Sequence, residues 1–284
     1  MVRTLFAILI VIILSIPLPL YGNTLKIVTF NIRYDNKKDG ENQWKNRKDA
    51  VCKFLEENKF DVICIQEVVK IQCEDLASSL SDYSFVFMGR NDGKEKGLAV
   101  PVFYKSNLFR CLESGCFWLS EYPDSVGSIG WDADQTRNLA WVKLQNKKDG
   151  KCIYIFNTHL DHKGKDARKN SMQLIKDRMK KIAGEHPIIL TGDMNSSTNS
   201  VVYKIAIEEE MKMIDALLAA KKRSGVEYSF HDFGKLDQSC RKRIDFIFVS
   251  EGIKVRKAMI PLEKDINGTY MSDHCPVIAD LKIK

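Results

Sequence analysis

The stretch YMSDHCPVIADL, residues 270–281, sets a carboxylate, Asp273, beside an imidazole, His274. The pair stands directly before an apolar run, Pro276 to Leu281, that reads as a strand. The same placement recurs along the chain. LKIVTFN ends in Asn31, DVICIQE in Gln66 and Glu67, CIYIFNTH in Asn157 and His159, and PIILTGDMN in Asp193 and Asn195. RIDFIF carries Asp245 at its start, within an apolar run. A buried carboxylate is costly unless it is paired, hydrogen-bonded or bound to a cation. A cap or a turn accounts for any one of these residues. Six such placements are more economically explained by a single cleft, because ligand sites gather beyond the carboxyl ends of sheet strands.

The inventory points to phosphate ester hydrolysis. Glu67, Asp273 and the Asn31 amide are oxygen donors of the kind a hard cation takes, and Mg²⁺ needs only one or two carboxylates, leaving positions for phosphate. No compact His/Cys set of the kind zinc prefers is present. A histidine held by a buried carboxylate has a fixed tautomer and a stabilised imidazolium. Asp245 is the better candidate to hold His274, because adjacent Asp273 should point to the opposite face if strand geometry begins there. An activated water, a charge clamp on the phosphoryl oxygens and help for the leaving oxygen are the parts such hydrolysis requires.

The elements that must position these residues are short and apolar. Runs at 25–32, 61–68, 83–89, 98–104, 138–144, 152–160, 187–193, 244–250 and 275–283 read as strands, many of them covered on both faces. Residues 43–58 and 166–184 place apolar side chains at helical spacing, and Gly184 stops the second. This alternation predicts an α/β fold of sheets covered by helices. No linker interrupts it, so residues 23–284 are expected to form one domain.

Residues 1–22 have a different character. Arg3 precedes an apolar core from Leu5 to Ile16, then Pro17, Pro19 and Gly22. That is the layout of a secretory signal cut after Gly22, an uncleaved anchor being the alternative. The expectation is an exported protein, periplasmic or extracellular. Its formal charge of +7 suits an anionic substrate without demanding one. Eight cysteines, none in a CxxC pair, leave disulfide pairing open, with Cys111 and Cys116 one option.

TFNIRYD, IQEV, NTHLDH, TGDMN, RIDFIFVS and SDHCPV, in this order over residues 25–281, resemble the endonuclease/exonuclease/phosphatase superfamily. GRNDGKEKG, FWLSEYPD and GWDADQTRNLAWVKL look like its bacterial exported branch of metal-dependent hydrolases. The resemblance implies a four-layer α/β sandwich, two mixed sheets face to face with helices outside. It implies that Glu67 binds Mg²⁺ or Mn²⁺, with Asn31 and Asp273 as direct or water-mediated ligands. Asp193 would orient or deprotonate the attacking water, and Asn195 would fix phosphate and water. His274, held by Asp245, would act as general base or phosphate donor, and His159 would donate to a non-bridging oxygen or protonate the leaving group. Arg137, Asn157 and His162 are further phosphate or substrate candidates. Leu98 departs from the pattern, standing where related sequences carry a Glu.

The expected partner is a phosphoester: a lipid, sugar or nucleotide phosphate, or nucleic acid. No stable protein partner is evident, and a monomer is expected. The basic clusters at 180–181, 221–223 and 241–243 are short and scattered, which favours a substrate other than duplex nucleic acid. A secreted nuclease is the alternative within the class. A non-catalytic phosphate-binding module is the alternative outside it, but Glu67, Asp193 and His274 are all intact. A serine acyl hydrolase ranks last, since neither Ser250 nor Ser272 lies on a G-x-S-x-G elbow.

Overall fold

The computed structural model describes residues 24–208, 211–262 and 268–283; the signal segment expected at 1–22 lies outside them. In chain order the strands are β1 (Thr24–Asn31), β2 (Val62–Gln66), β3 (Tyr83–Val86), β4 (Val102–Lys105), β5 (Phe109–Trp118), β6 (Asn138–Asn146) and β7 (Cys152–His159). They continue with β8 (Ile188–Asp193), β9 (Ile214–Asp215), β10 (Lys222–Gly225), β11 (Asp245–Val249), β12 (Lys254–Ile260) and β13 (Val277–Lys282). The α-helices are α1 (Trp44–Asn58), α2 (Lys70–Ser79), α3 (Lys165–Ala183), α4 (Val201–Ile207) and the single turn α5 (Ala216–Ala219).

The strands form two mixed sheets, ordered β10-β12-β13-β1-β2-β4-β3 and β5-β6-β7-β8-β11-β9. Strand period two sorts their side chains into layers. Ile27, Val62, Cys64, Ile153, Ile155 and Ile189 point into the core between the sheets. Their neighbours Val28, Ile63 and Ile65 pack outward among Val51 and Leu55 of α1 and Leu76 of α2. On the other side Tyr154, Phe156, Ile188 and Leu190 pack against Met172, Ile175 and Met179 of α3. The order helix, sheet, sheet, helix is the expected four-layer sandwich.

Two features bring the site residues to one edge. β1 and β2 run parallel, as do β7 and β8, so Asn31, Gln66, His159 and Asp193 end together. β11 and β13 are antiparallel to β8 and β1, so their starting ends, Asp245 and the turn carrying His274, meet the same edge. Gly192 allows the close approach of β8 to β7: its φ is 146°, and a Cβ there would stand 2.0 Å from the Thr158 carbonyl oxygen.

All eight cysteines are free thiols. Cys111 and Cys116 lie five residues apart on extended β5, about 16 Å at strand rise, so the bridge considered from sequence does not form.

Candidate active site

The edge of the sandwich opens into a cleft of about 800 Å³ lined by Glu67, His159, Asp193, Asn195, Asp273 and His274, together with Arg33, Arg90, Arg137 and His162. His274 is buried, and its Nδ1 lies 2.8 Å from Asp245 Oδ2. Asp245, not adjacent Asp273, is therefore the residue that orients the imidazole. Its Nε2 lies 3.7 Å from Asp193 Oδ2. Burial works against charging His274, but Asp245, its hydrogen bond and the nearby Asp193 and Asp273 carboxylates outweigh it and raise the pKa to about 10. Burial, then the Asp245 charge opposite, raise the Asp193 carboxyl far above the usual carboxylate range.

His159 differs from His274. Its Nε2 is 3.0 Å from Asn195 Nδ2 and 3.4 Å from Asp193 Oδ2. Burial and the charges of Arg137 and His274 push its pKa well below the ordinary value, so the ring is neutral. The Asn195 amide also donates to the Leu160 carbonyl at 2.9 Å, and its backbone N–H donates to Asp193 at 2.8 Å.

Glu67 and Asp273 form the other wall. Arg33 stands 4.0 Å from each and makes a two-pronged pair with Asp39 at 2.9 and 3.0 Å. Burial raises the Asp273 pKa, and the Glu67 charge adds to this while His274 and Arg33 oppose it. Asn31 sits beneath, its amide donating to Glu67 at 3.3 Å and Asp193 at 3.1 Å, with its carbonyl oxygen accepting from Arg33 N–H. In this orientation Asn31 braces the two carboxylates. Arg33, Glu67 and Asn195 all have positive φ, 58°, 62° and 45°. Such backbone is uncommon for residues other than glycine and clusters at functional sites.

Both groups suit a divalent cation on donor chemistry. Glu67 and Asp273 are hard oxygen donors converging at the cleft wall, where a cation would relieve their mutual repulsion. Asp193, Asp245 and His274 also have ligand atoms within 4.8 Å of one another. In that trio the Asp245–His274 hydrogen bond already commits one nitrogen and one oxygen.

The softer sequence candidates divide. Arg137 is buried, pairs with Asp161 at 3.3 Å and reaches His162 Nδ1 at 3.1 Å. His162 lies on the rim, 3.7 Å from Asp134. Asn157 does not line the cleft. It shares a strand face with His159 but lies one rung deeper, fully buried between the sheets. Its amide donates to the carbonyls of Ile65, Val100 and Pro101, and its oxygen accepts from Gln66 and Thr191. It is a cross-sheet brace, so its expected contact with substrate is corrected. Ser272 is buried, donating to the Asn31 carbonyl, and Ser250 Oγ accepts from Ile188 N–H. Neither is placed as a nucleophile.

Arg33 and Arg90 are not among the residues expected from sequence, although TFNIRYD and GRNDGKEKG contain them. A lone arginine in a loop gives no periodic signal, and their position became apparent only when the loops closed over the strand ends.

The chain belongs to the endonuclease/exonuclease/phosphatase family, whose profile matches residues 28–274. It is 40% identical to an endonuclease/exonuclease/phosphatase protein of Bacteroides vulgatus, with a TM-score of 0.89 over 93% of this chain and 100% of that one. A mannosyl-6-phosphatase of Bacteroides thetaiotaomicron is 31% identical, with a TM-score of 0.84 over 90% of this chain and 99% of that one. An uncharacterised protein of Acanthamoeba polyphaga mimivirus is 27% identical over 249 residues, covering 83% of this chain and 91% of its own length. Other curated relatives are longer; the chain spans 30% of one and 22% of another.

Proposed function

We propose that this protein is a divalent-metal-dependent phosphoesterase that hydrolyses a small phosphorylated substrate, of which a sugar phosphate is the leading class. The observation that carries this is the convergence on one cleft of two functional walls, the Glu67–Asp273 carboxylates and the Asp193–His274–Asp245 array. The similarity to a mannosyl-6-phosphatase supports the sugar phosphate. Enclosed arginines, rather than an extended basic surface, support a compact anion over a nucleic acid duplex.

Glu67 and Asp273 would hold Mg²⁺ or Mn²⁺, with the Asn31 amide bracing Glu67 against Asp193. Bound there, the ion would neutralise charge on the phosphoryl group and favour attack by water. Asp193, its carboxyl raised towards neutrality, is the base that takes the proton from the attacking water. His274, held charged by Asp245, donates to a phosphoryl oxygen. Neutral His159 accepts from the Asn195 amide at Nε2, so its N–H lies on Nδ1, the atom that would donate to phosphate rather than protonate the leaving group. The new bond joins water oxygen to phosphorus, the ester P–O bond breaks, and the departing oxygen takes a proton from solvent.

Residues 1–22, with their charged start and apolar core, support an exported location for this activity. Incubating purified protein with p-nitrophenyl phosphate, sugar phosphates, nucleotides, phospholipids and oligonucleotides, with Mg²⁺ or with EDTA, tests the reading. EDTA-sensitive release from a sugar phosphate is the expected result. Turnover that survives chelation would count against it.

A further inference from the structure

Three arginines reach the cleft, but their charges are balanced differently. Arg33 has Asp39, and Arg137 has Asp161. Arg90 has no carboxylate within ion-pair distance among the described residues. Its Nη2 donates to Gln135 Oε1 at 3.1 Å, and its buried Nε has no hydrogen-bond partner. An orphaned donor on a charged, largely desolvated side chain is expensive, which marks a place prepared for an anion. Burial and the charge of Arg137 push its pKa down to about 10, which leaves it protonated at neutral pH.

The backbone delivers Arg90 rigidly. Residues 89–98 close on themselves: Arg90 N–H donates to the Leu98 carbonyl and Asn91 N–H to that of Lys96, both at 3.0 Å. Asp92 accepts from the backbone of Lys94 and Lys96, and the Trp118 indole N–H donates to the Arg90 carbonyl at 2.6 Å. Side chains of Arg90, Arg137, His159 and Glu67 meet around a recess of about 10 Å³ off the main cleft, with Leu98 and Val100 as its apolar wall. That is room for about one oxygen atom.

We propose that Arg90, with Arg137, makes the enzyme selective for phosphate monoesters, by receiving in this recess the third non-bridging oxygen that a diester lacks. The inference rests on the phosphoesterase reading above. A phosphoryl group in the cleft would meet three sets of partners, with Glu67 shared between its metal-binding edge and the recess. One oxygen faces the Glu67–Asp273 edge, one faces His274 and Asn195, and the third enters the recess. In a diester that third position carries an ester oxygen with its carbon substituent. The substituent would crowd Leu98 and Val100 in a recess with room for about one oxygen atom. The diester also carries one negative charge fewer to offset Arg90.

The test compares kcat/KM for p-nitrophenyl phosphate and bis-p-nitrophenyl phosphate in wild type, Arg90→Gln and Arg90→Lys. Wild type should prefer the monoester. Arg90→Gln should lower the monoester-to-diester ratio by about 10- to 100-fold, the scale of a lost hydrogen bond to a charged group. Arg90→Lys should lie between. Calorimetric binding of inorganic phosphate to metal-free protein gives a readout independent of turnover, and Arg90→Gln should weaken it. Should Arg90→Gln fail to fold, Gln135→Ala leaves Arg90 in place but untethered, and should lower the same ratio by a smaller factor. A wild type that prefers the diester overturns the proposal, as does a variant with unchanged ratio and unchanged phosphate affinity. If no phosphoester is turned over with any metal, the phosphoesterase reading fails by itself. Phosphate affinity then decides the role of Arg90, and an affinity insensitive to Arg90→Gln removes it.

Discussion

Asp193 and Asp245 are register partners on antiparallel β8 and β11, and His274 stands between their carboxylates, Nδ1 2.8 Å from Asp245 and Nε2 3.7 Å from Asp193. Two buried acids this close favour a cation between them, and the imidazolium supplies it. On the proposed mechanism this divides the labour: Asp245 keeps His274 charged, and Asp193 is left to exchange a proton near neutral pH.

Removing either member should stop chemistry without unfolding the chain. His274→Gln and Asp193→Asn are each expected to lower kcat by about 10²–10⁴-fold, the range for acid–base groups. Circular dichroism of both variants should match wild type. A double variant with full activity would refute the assignment.

The pH profile follows from the signs of the shifts. Asp193 must be ionised to act, and its pKa is raised, so kcat/KM should fall as pH drops through the neutral region rather than near pH 4. His274 must be protonated, and its pKa is raised to about 10, so the alkaline limb should lie near there. Asp245→Asn removes the main charge that raises it and should move the alkaline limb towards neutrality. A limb that stays in place would show that His274 is not the group titrating.

Glu67→Gln should raise the Mg²⁺ concentration needed for half-maximal activity by at least about tenfold, since one charged donor to the cation is lost. Isothermal titration with Mn²⁺ should show the same weakening in the absence of substrate. An unchanged metal titration would remove Glu67 from the ligand set.

Arg47 on α1 is buried, donating to the carbonyls of Asn42, Ile32, Met271 and Arg33 at 2.6, 2.7, 2.5 and 3.1 Å. It ties together the two segments that carry Arg33 and Asp273. Arg47→Met leaves these carbonyls without their donor and should destabilise the fold by about 3 kcal/mol. Urea denaturation measures this. A midpoint equal to wild type would show that the clamp is redundant.

The strands that carry the site were legible because each is a nearly continuous apolar run ending in a polar residue. β5, β9, β10 and β12 were not: β9 is only two residues long, and the other three lack a continuous apolar run for a physical reason. β10, KRSG, is fully exposed and exists only through its pairing with β12. β12 alternates and is interrupted by a register shift between Val255 and Lys257, and β5 is exposed through its centre, Leu112 to Ser114. The polar strand ends also over-predicted once. Asn157 fits the rule that found His159, but one rung of depth turns a cleft residue into a brace between sheets. The Asp245–His274 pairing was readable from strand alternation. The part played by Arg90 was not, since it depends on the closure of a loop over a strand end.

The most direct test is release of phosphate from a sugar 6-phosphate by purified protein, followed through EDTA treatment and Mg²⁺ restoration, in wild type and Asp245→Asn. The account predicts turnover that is lost with chelation, restored by the metal, and reduced by about 10²-fold or more in the folded variant. Turnover indifferent to both the chelator and Asp245 would contradict it.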